Sequence, residues 1–191
     1  MKSIKGTRTE QNLLKAFAGE SQARNRYDYF AKVAEKEGYK QISDIFLKTA
    51  ENERSHAKQF FNFFEDNEVE ITVSYPTLKS KSTLENLKNA ALGENEEHSK
   101  LYPEFANIAK EEGFNEIAIF FKLIGKIEER HERRFLKLAK NIEEGKVFKR
   151  EETTKWECIK CGHIHEGKGA PENCPACNHP KAWFEIQTEN Y

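Results

Sequence analysis

No apolar run in this chain approaches the ~18 residues that a membrane-crossing helix needs. Its opening residues, MKSIKGTRTEQ, also lack the hydrophobic segment of a secretory signal. Net charge is nearly absent, because 31 basic residues against 32 acidic ones leave −1. That balance gives no overall attraction to nucleic acid or to an anionic membrane. Cysteine is missing before residue 158, and the four that follow fall into two Cys-x-x-Cys pairs. Such pairs suit a metal site in a reducing compartment better than a disulfide framework. Together these absences predict a soluble, cytoplasmic protein.

What the chain has in plenty is charge of both signs, at 33% of 191 residues against a typical ~25%. Its 37% of apolar residues makes a core only if they gather on faces, and they do. A first helix is expected over about residues 8–36, capped by Thr9 and stopped by Gly38, with Leu13, Ala16, Phe17, Ala23, Tyr27, Phe30, Ala31 and Ala34 on one face. A second, over about 40–66, carries Ile42, Ile45, Phe46, Thr49, Phe60 and Phe64. Residues 66–82 are a connection with strand-like character at 69–75, long enough to cross a bundle. The third helix starts near Ser82 or Thr83 and ends at Gly113, presenting Leu84, Leu87, Ala91, Leu101, Phe105 and Ile108. The fourth shows Ile117, Phe121, Ile124, Phe135, Leu138 and Ile142.

Each stripe is broken in its middle by residues that do not belong in a core: Glu20 in the first, Glu53 and His56 in the second, Glu94 and Glu97 in the third, Glu128 and His131 in the fourth. Residues three apart stand one above the other on a helix face. Burying an unpaired carboxylate costs several kcal/mol, so these positions need a partner, and a metal ion is one. The pattern also repeats. An offset of 75 carries Ala34–Tyr39 onto Ala109–Phe114, Glu53 onto Glu128 and His56 onto His131; with a shift of one, Gly19-Glu20 falls on Gly93-Glu94. The first 145 residues are therefore a duplicated helix pair. Di-iron carboxylate bundles take a Glu from each of two helices and Glu-x-x-His from each of the other two. Here Glu97 is one acid beyond that pattern. Five carboxylates are nearly balanced by two divalent ions, and oxygen-rich ligation with one imidazole per ion suits iron or manganese. Tyr27 and Tyr102, about two turns beyond Glu20 and Glu94, are placed either to hydrogen-bond the carboxylates or to fill the core. His98, beside Glu97, reads as a surface or partly buried histidine rather than a ligand.

After Gly145 the composition changes. Residues 146–155 are polar enough for a linker between a helical domain (1–145) and a small module (156–191). Cys158, Cys161, Cys174 and Cys177 place four thiolates within reach of one ion, iron or zinc. With zinc the module is a folding staple or a binding ribbon; with iron it is a one-electron carrier. His163, His165 and His179 read as surface residues, and Trp156, Trp183 and Phe184 as the module's own small core. About 45 residues need the metal to fold stably.

Glu20, Glu53-x-x-His56, Glu94-x-x-Glu97 and Glu128-x-x-His131, followed by Cys158-x-x-Cys161-Gly and Cys174-Pro-x-Cys177, resemble the rubrerythrin family over essentially the whole chain. The resemblance implies a mainly α, ferritin-like four-helix bundle with a long crossover and a C-terminal rubredoxin-like domain. It implies two non-haem irons in the bundle and one iron at the cysteines, zinc being possible there. It also implies that Glu97 and His56 are alternative ligands exchanged as one iron moves with redox state, and that Tyr27 and Tyr102 support the carboxylates. The activity implied is reduction of hydrogen peroxide to water as a defence against oxidative stress, with Glu97 and His56 catalytic. Electrons would come from a reductase, a rubredoxin or an NAD(P)H-dependent oxidoreductase, through the four-cysteine iron, typically across the interface of a homodimer. Two other readings stay open on the residues alone: a ferritin-like iron oxidase, and a zinc-ribbon binding protein on a helical scaffold.

Overall fold

The computed structural model describes residues 2–77, 79 and 81–190. Helix α1 (Arg8–Lys36) turns at Gly38 into α2 (Lys40–Phe61). Helix α3 (Thr83–Glu96), a π-helical turn (Glu97–Leu101) and α4 (Tyr102–Glu111) form one interrupted rod, which turns at Gly113 into α5 (Asn115–Glu143). Gly38 and Gly113 take φ of +84° and +82°, a left-handed conformation that side chains resist. In both turns an amide reaches back five residues, Tyr39 to the Ala34 carbonyl and Phe114 to that of Ala109, each at 2.8 Å. The two hairpins end their first helices by the same device. Strands β1 (Lys149–Cys158), β2 (Ile164–Gly169) and β3 (Phe184–Ile186) make an antiparallel sheet in the order β2-β1-β3. Among the described residues no helix is long and apolar enough to cross a membrane.

Five expectations need correcting. The cap of α1 is Thr7, whose hydroxyl accepts from the Glu10 amide, while Thr9 lies in the first turn. Helix α2 stops at Phe61 rather than near Asp66: Phe63 and Phe64 bond three residues back, tightening the last turn so that both rings fold onto the core. Residues 69–75 form no strand: among the described residues no neighbouring strand offers them a ladder. The third helix is not continuous. Finally, the expected linker is mostly sheet, since β1 begins at Lys149 and Phe148 packs with Trp156 and Phe184.

The break in the third rod explains the slipped repeat. Ahead of it Asn12, Leu13, Gly19 and Glu20 match Asn86, Leu87, Gly93 and Glu94 at an offset of 74; beyond it Tyr27 matches Tyr102 at 75. The second copy holds one extra residue, absorbed where the Tyr102 amide reaches the Glu97 carbonyl across five residues. Gly125 of α5 faces this turn: a Cβ there would lie 3.7 Å from Tyr102 and 3.9 Å from the His98 backbone, ordinary contact distances.

Each long helix changes core as it crosses the middle of the bundle. One apolar cluster holds Tyr27, Phe30, Phe46, Leu87 and Phe135; the other holds Leu13, Phe60, Phe105, Ile117 and Phe121. Glu20, Glu53, His56, Glu94, Glu128 and His131 occupy the layer between them. The two halves also cap each other. Glu112, after α4, accepts from the Thr9 amide at 2.9 Å and the Thr9 hydroxyl at 2.7 Å; its counterpart Glu37, after α1, accepts from the Thr83 amide at 2.9 Å. A carboxylate at a helix N-terminus satisfies free amides and faces the positive end of the dipole. Glu112→Ala is expected to lower stability by about 1 kcal/mol, or a melting temperature drop of about 3 °C. Glu111→Ala, removing an exposed partner of Arg8, should change little. Thermal unfolding of the two variants checks the difference.

Candidate metal centre

The six residues of the middle layer come from all four rods, and none is more than 6% exposed. Helix α2 supplies Glu53 and His56, and α5 supplies Glu128 and His131, each pair three residues apart on the buried face. The imidazole rings lie nearly parallel, 6.2 Å apart. Around them the carboxylates divide their oxygens. Glu53 turns Oε2 to His56 Nδ1 at 2.9 Å and Oε1 to His131 Nδ1 at 3.3 Å. Glu128 turns Oε1 to His56 Nδ1 at 2.9 Å and Oε2 to His131 Nδ1 at 2.7 Å. Glu20 Oε2 stands 3.5 Å from His56 Nδ1, and Glu94 Oε2 stands 3.8 Å from His131 Nδ1. Two ligand sets result: Glu20, Glu53, His56 and Glu128, and Glu53, Glu94, Glu128 and His131, with donor atoms mutually within 4.8 Å in each. Glu53 and Glu128 belong to both.

The donor atoms fit metal ions better than they fit each other. Both oxygens of Glu53 and Glu128, Oε2 of Glu94 and Nδ1 of both histidines are buried without a directed hydrogen bond, despite separations as short as 2.7 Å. Their lone pairs converge on common points, where a cation satisfies all of them at once. In a metal-free chain protons must stand in. Burial, then the charge of Glu128, pushes Glu20 up to about 8, and burial beside Glu53 drives Glu94 well above the carboxylate range. Burial disfavours charge on the histidines too, but the close carboxylates of Glu128 and Glu53 outweigh it and hold His131 up to about 11. His56 is raised likewise by Glu128, Glu20 and Glu53. Glu128 alone is lowered, to about 2: the two histidines overcome its burial.

Tyrosine bonds cross between halves as the caps do. Tyr27 of α1 donates to Glu94 Oε1 at 2.5 Å, and Tyr102 of α4 donates to Glu20 Oε1. Glu97 is the acid that the ligand sets leave out. It sits on the π turn, is the one member of the seven not fully buried, and has its carboxyl held well above the usual range by burial and by Glu20 and Glu94. His98 stands outside both ligand groups, and its Nε2 pairs with Glu132 at 2.6 Å. Two residues escaped sequence reasoning. Arg134 donates to the Thr49 hydroxyl at 2.6 Å and places its charge near Glu94 and Glu53; its spacing of three from His131 was the available signal. Glu132 carried none.

In the small module the Sγ atoms of Cys158 and Cys177, and of Cys161 and Cys174, are 3.7 Å apart. A tetrahedral ion with bonds of about 2.3 Å sets its sulfurs about 3.8 Å apart. The knuckles match: Cys158 and Cys174 amides reach the carbonyls of His163 and His179, and Gly162 and Asn178 take φ of +77° and +57°. Cys158 and Cys174 are buried while Cys161 is exposed. His163, His165 and His179 stand outside the thiolate group.

Metal ligation requires neutral imidazole and ionised carboxylate, so loading must expel the protons that hold the metal-free cluster together. Raised groups lose these protons more easily as pH rises, so affinity increases with pH. Adding Fe(II) or Co(II) to metal-free protein at pH 7 in weak buffer is expected to acidify it, with affinity falling about tenfold or more per unit of pH decrease. An indicator-dye titration measures the released protons.

Family profiles match this chain in two places, Rubrerythrin over residues 11–139 and the rubredoxin-like domain of rubrerythrin over 156–185. It is 57% identical to a rubrerythrin of Clostridium perfringens and 56% identical to one of Nitratidesulfovibrio vulgaris, with 100% of each chain covered. Among solved structures, mixed-valence nigerythrin superposes with a TM-score of 0.63 at 30% identity, covering 97% of this chain and 92% of that one. Symerythrin from Cyanophora paradoxa, at 24% identity, shares the fold with a TM-score of 0.64 over 74% of this chain and 89% of that one. The bundle is ferritin-like and the sheet module rubredoxin-like. The chain belongs to the rubrerythrin family, with a di-iron site in the bundle and a rubredoxin-like site at its four cysteines.

Proposed function

We propose that this protein is a non-haem di-iron peroxidase that reduces hydrogen peroxide to water in the cytoplasm as a defence against oxidative stress. The observation that carries the reading is one chain holding both a two-metal carboxylate cluster and a separate four-thiolate site. A ferritin-like iron oxidase needs only the first. Reduction of hydrogen peroxide to two waters takes two electrons and two protons. Bound iron supplies the electrons and a Lewis acid that polarises the O–O bond. The ligands in this reading are Glu20, Glu53, His56, Glu94, Glu97, Glu128 and His131, with Glu97 and His56 alternating at one position. Tyr27 and Tyr102 orient Glu94 and Glu20 and keep one oxygen of each occupied. Glu97, outside the ligand groups here with its carboxyl pKa raised, is free to hold a proton on Oε1 and pass it to a departing oxygen.

Electron delivery favours a second copy. The cysteine module rests on the start of α2, with Tyr39 stacked on Phe148 and Lys40 over Trp183. Thirteen residues of helix separate Lys40 from Glu53, roughly 20 Å at 1.5 Å per residue. Electron transfer weakens steeply with distance, so the partner's thiolate site in a homodimer is the better donor, itself refilled by a rubredoxin or an NAD(P)H-dependent reductase.

Adding one equivalent of hydrogen peroxide to the anaerobically reduced protein should restore the ferric-thiolate colour rapidly, and dioxygen should restore it far more slowly. Preference for dioxygen would instead identify an iron oxidase, and a colourless protein would put zinc at the cysteines. Glu97→Ala is expected to slow the return by about 100-fold while the colour of the oxidised four-cysteine site stays unchanged.

A further inference from the structure

Of the seven residues that sequence and geometry assign to the cluster, Glu97 alone reaches beyond the buried layer. It opens into a slot of about 170 Å³ between α1 and the α3–α4 rod, lined also by Gly19, Arg26, Gly93 and Tyr102. Four other cavities on the described surface touch none of the seven. Residues 73–76 of the crossover roof the slot. Tyr75 anchors the roof by donating its hydroxyl to the Lys15 carbonyl at 2.7 Å. A Cβ on Gly19 would lie 3.7 Å from the Tyr75 ring and 3.9 Å from Glu97 Oε1, so ring and carboxylate face each other across the space above one glycine. The matching glycine of the second copy, Gly93, lines the same slot under Arg26. Both helices are thus bare where the passage runs.

We propose that this slot is the route by which peroxide reaches Glu97 and the metal cluster, and that the Tyr75 ring sets its width, admitting hydrogen peroxide and excluding bulky organic hydroperoxides. A water molecule occupies ~30 Å³ in the liquid. A slot of 170 Å³ therefore holds hydrogen peroxide with several waters, whereas an aryl hydroperoxide would have to displace the Tyr75 ring to bring its O–O bond to Glu97. Pockets of this kind discriminate by excluded bulk, worth ~10–200-fold for small differences in size.

The inference rests on the peroxidase reading, and the experiment separates the two. Reduced holoprotein is mixed anaerobically with hydrogen peroxide or with cumene hydroperoxide, and the return of ferric-thiolate absorption is timed. If hydrogen peroxide leaves the wild-type protein reduced, the peroxidase reading itself falls. If it reacts, the wild type should favour it strongly, and Tyr75→Ala should shrink that preference by about tenfold or more, through faster reaction with cumene hydroperoxide. Tyr75→Phe, which keeps the ring, should retain the discrimination. A second readout needs no turnover: carbodiimide labelling of Glu97 in reduced holoprotein, measured by peptide mass spectrometry against exposed Glu104, should rise about tenfold in Tyr75→Ala. A wild type that takes both hydroperoxides equally, a preference within about twofold of wild type in Tyr75→Ala, or unchanged labelling of Glu97 overturns the proposal.

Discussion

Four acidic side chains meet in a layer closed off by apolar residues above and below, and most of the structure can be understood as the means of keeping them there. Like charges at such separations in a dry interior repel strongly. The histidines relieve part of this, at a cost, because their nitrogens face oxygens without making directed hydrogen bonds. Two aromatic-rich clusters on either side supply the burial that offsets the strain. Every long helix crosses the layer, so no helix can shift along its axis without dragging a ligand out of place.

Much of this was legible in the residues. Apolar stripes with a charged gap at the same height in four helices announce a buried polar layer, because solvated acids have no reason to keep a register. The repeat strengthened that reading, since Glu53 and His56 recur as Glu128 and His131. Less legible were features whose cause lies across the fold. Val69, Ile71 and Val73 alternate as a strand would, yet among the described residues no strand pairs with them, since β propensity acts only when a neighbouring strand exists. Thr9 looks like a cap, but Thr7 takes that place and Thr9 serves Glu112, more than 100 residues away. The π turn was visible only as a one-residue slip, which reads equally well as a loop insertion until the helix is seen to run through it.

The sheet module meets the bundle at the far end of α2 from the cluster, through Tyr39, Lys40 and Gly38 against Phe148, Trp183 and Ala182. That seam combines a stack of aromatic rings, a cation over an indole and a polar contact between Glu185 and Gln41. The module is thus seated against the start of α2 while Cys161 stays open to solvent. A thiolate site so placed presents an outward face.

The crossed bonds have a consequence for the ancestry of the fold. Glu37 serves Thr83 and Glu112 serves Thr9; Tyr27 serves Glu94 and Tyr102 serves Glu20. Nothing in that scheme requires one polypeptide. Two copies of a single helical hairpin, related by a twofold axis, would exchange the same bonds and build both ligand sets, each copy giving one bridging glutamate. Joining the hairpins into one chain adds the freedom for them to diverge. The inserted residue is where that freedom shows: it sets Glu97 on one side, where the other hairpin has only Gln22 or Ala23. A symmetric ancestor could hold two equivalent ions, whereas the fused chain can treat its two ions differently.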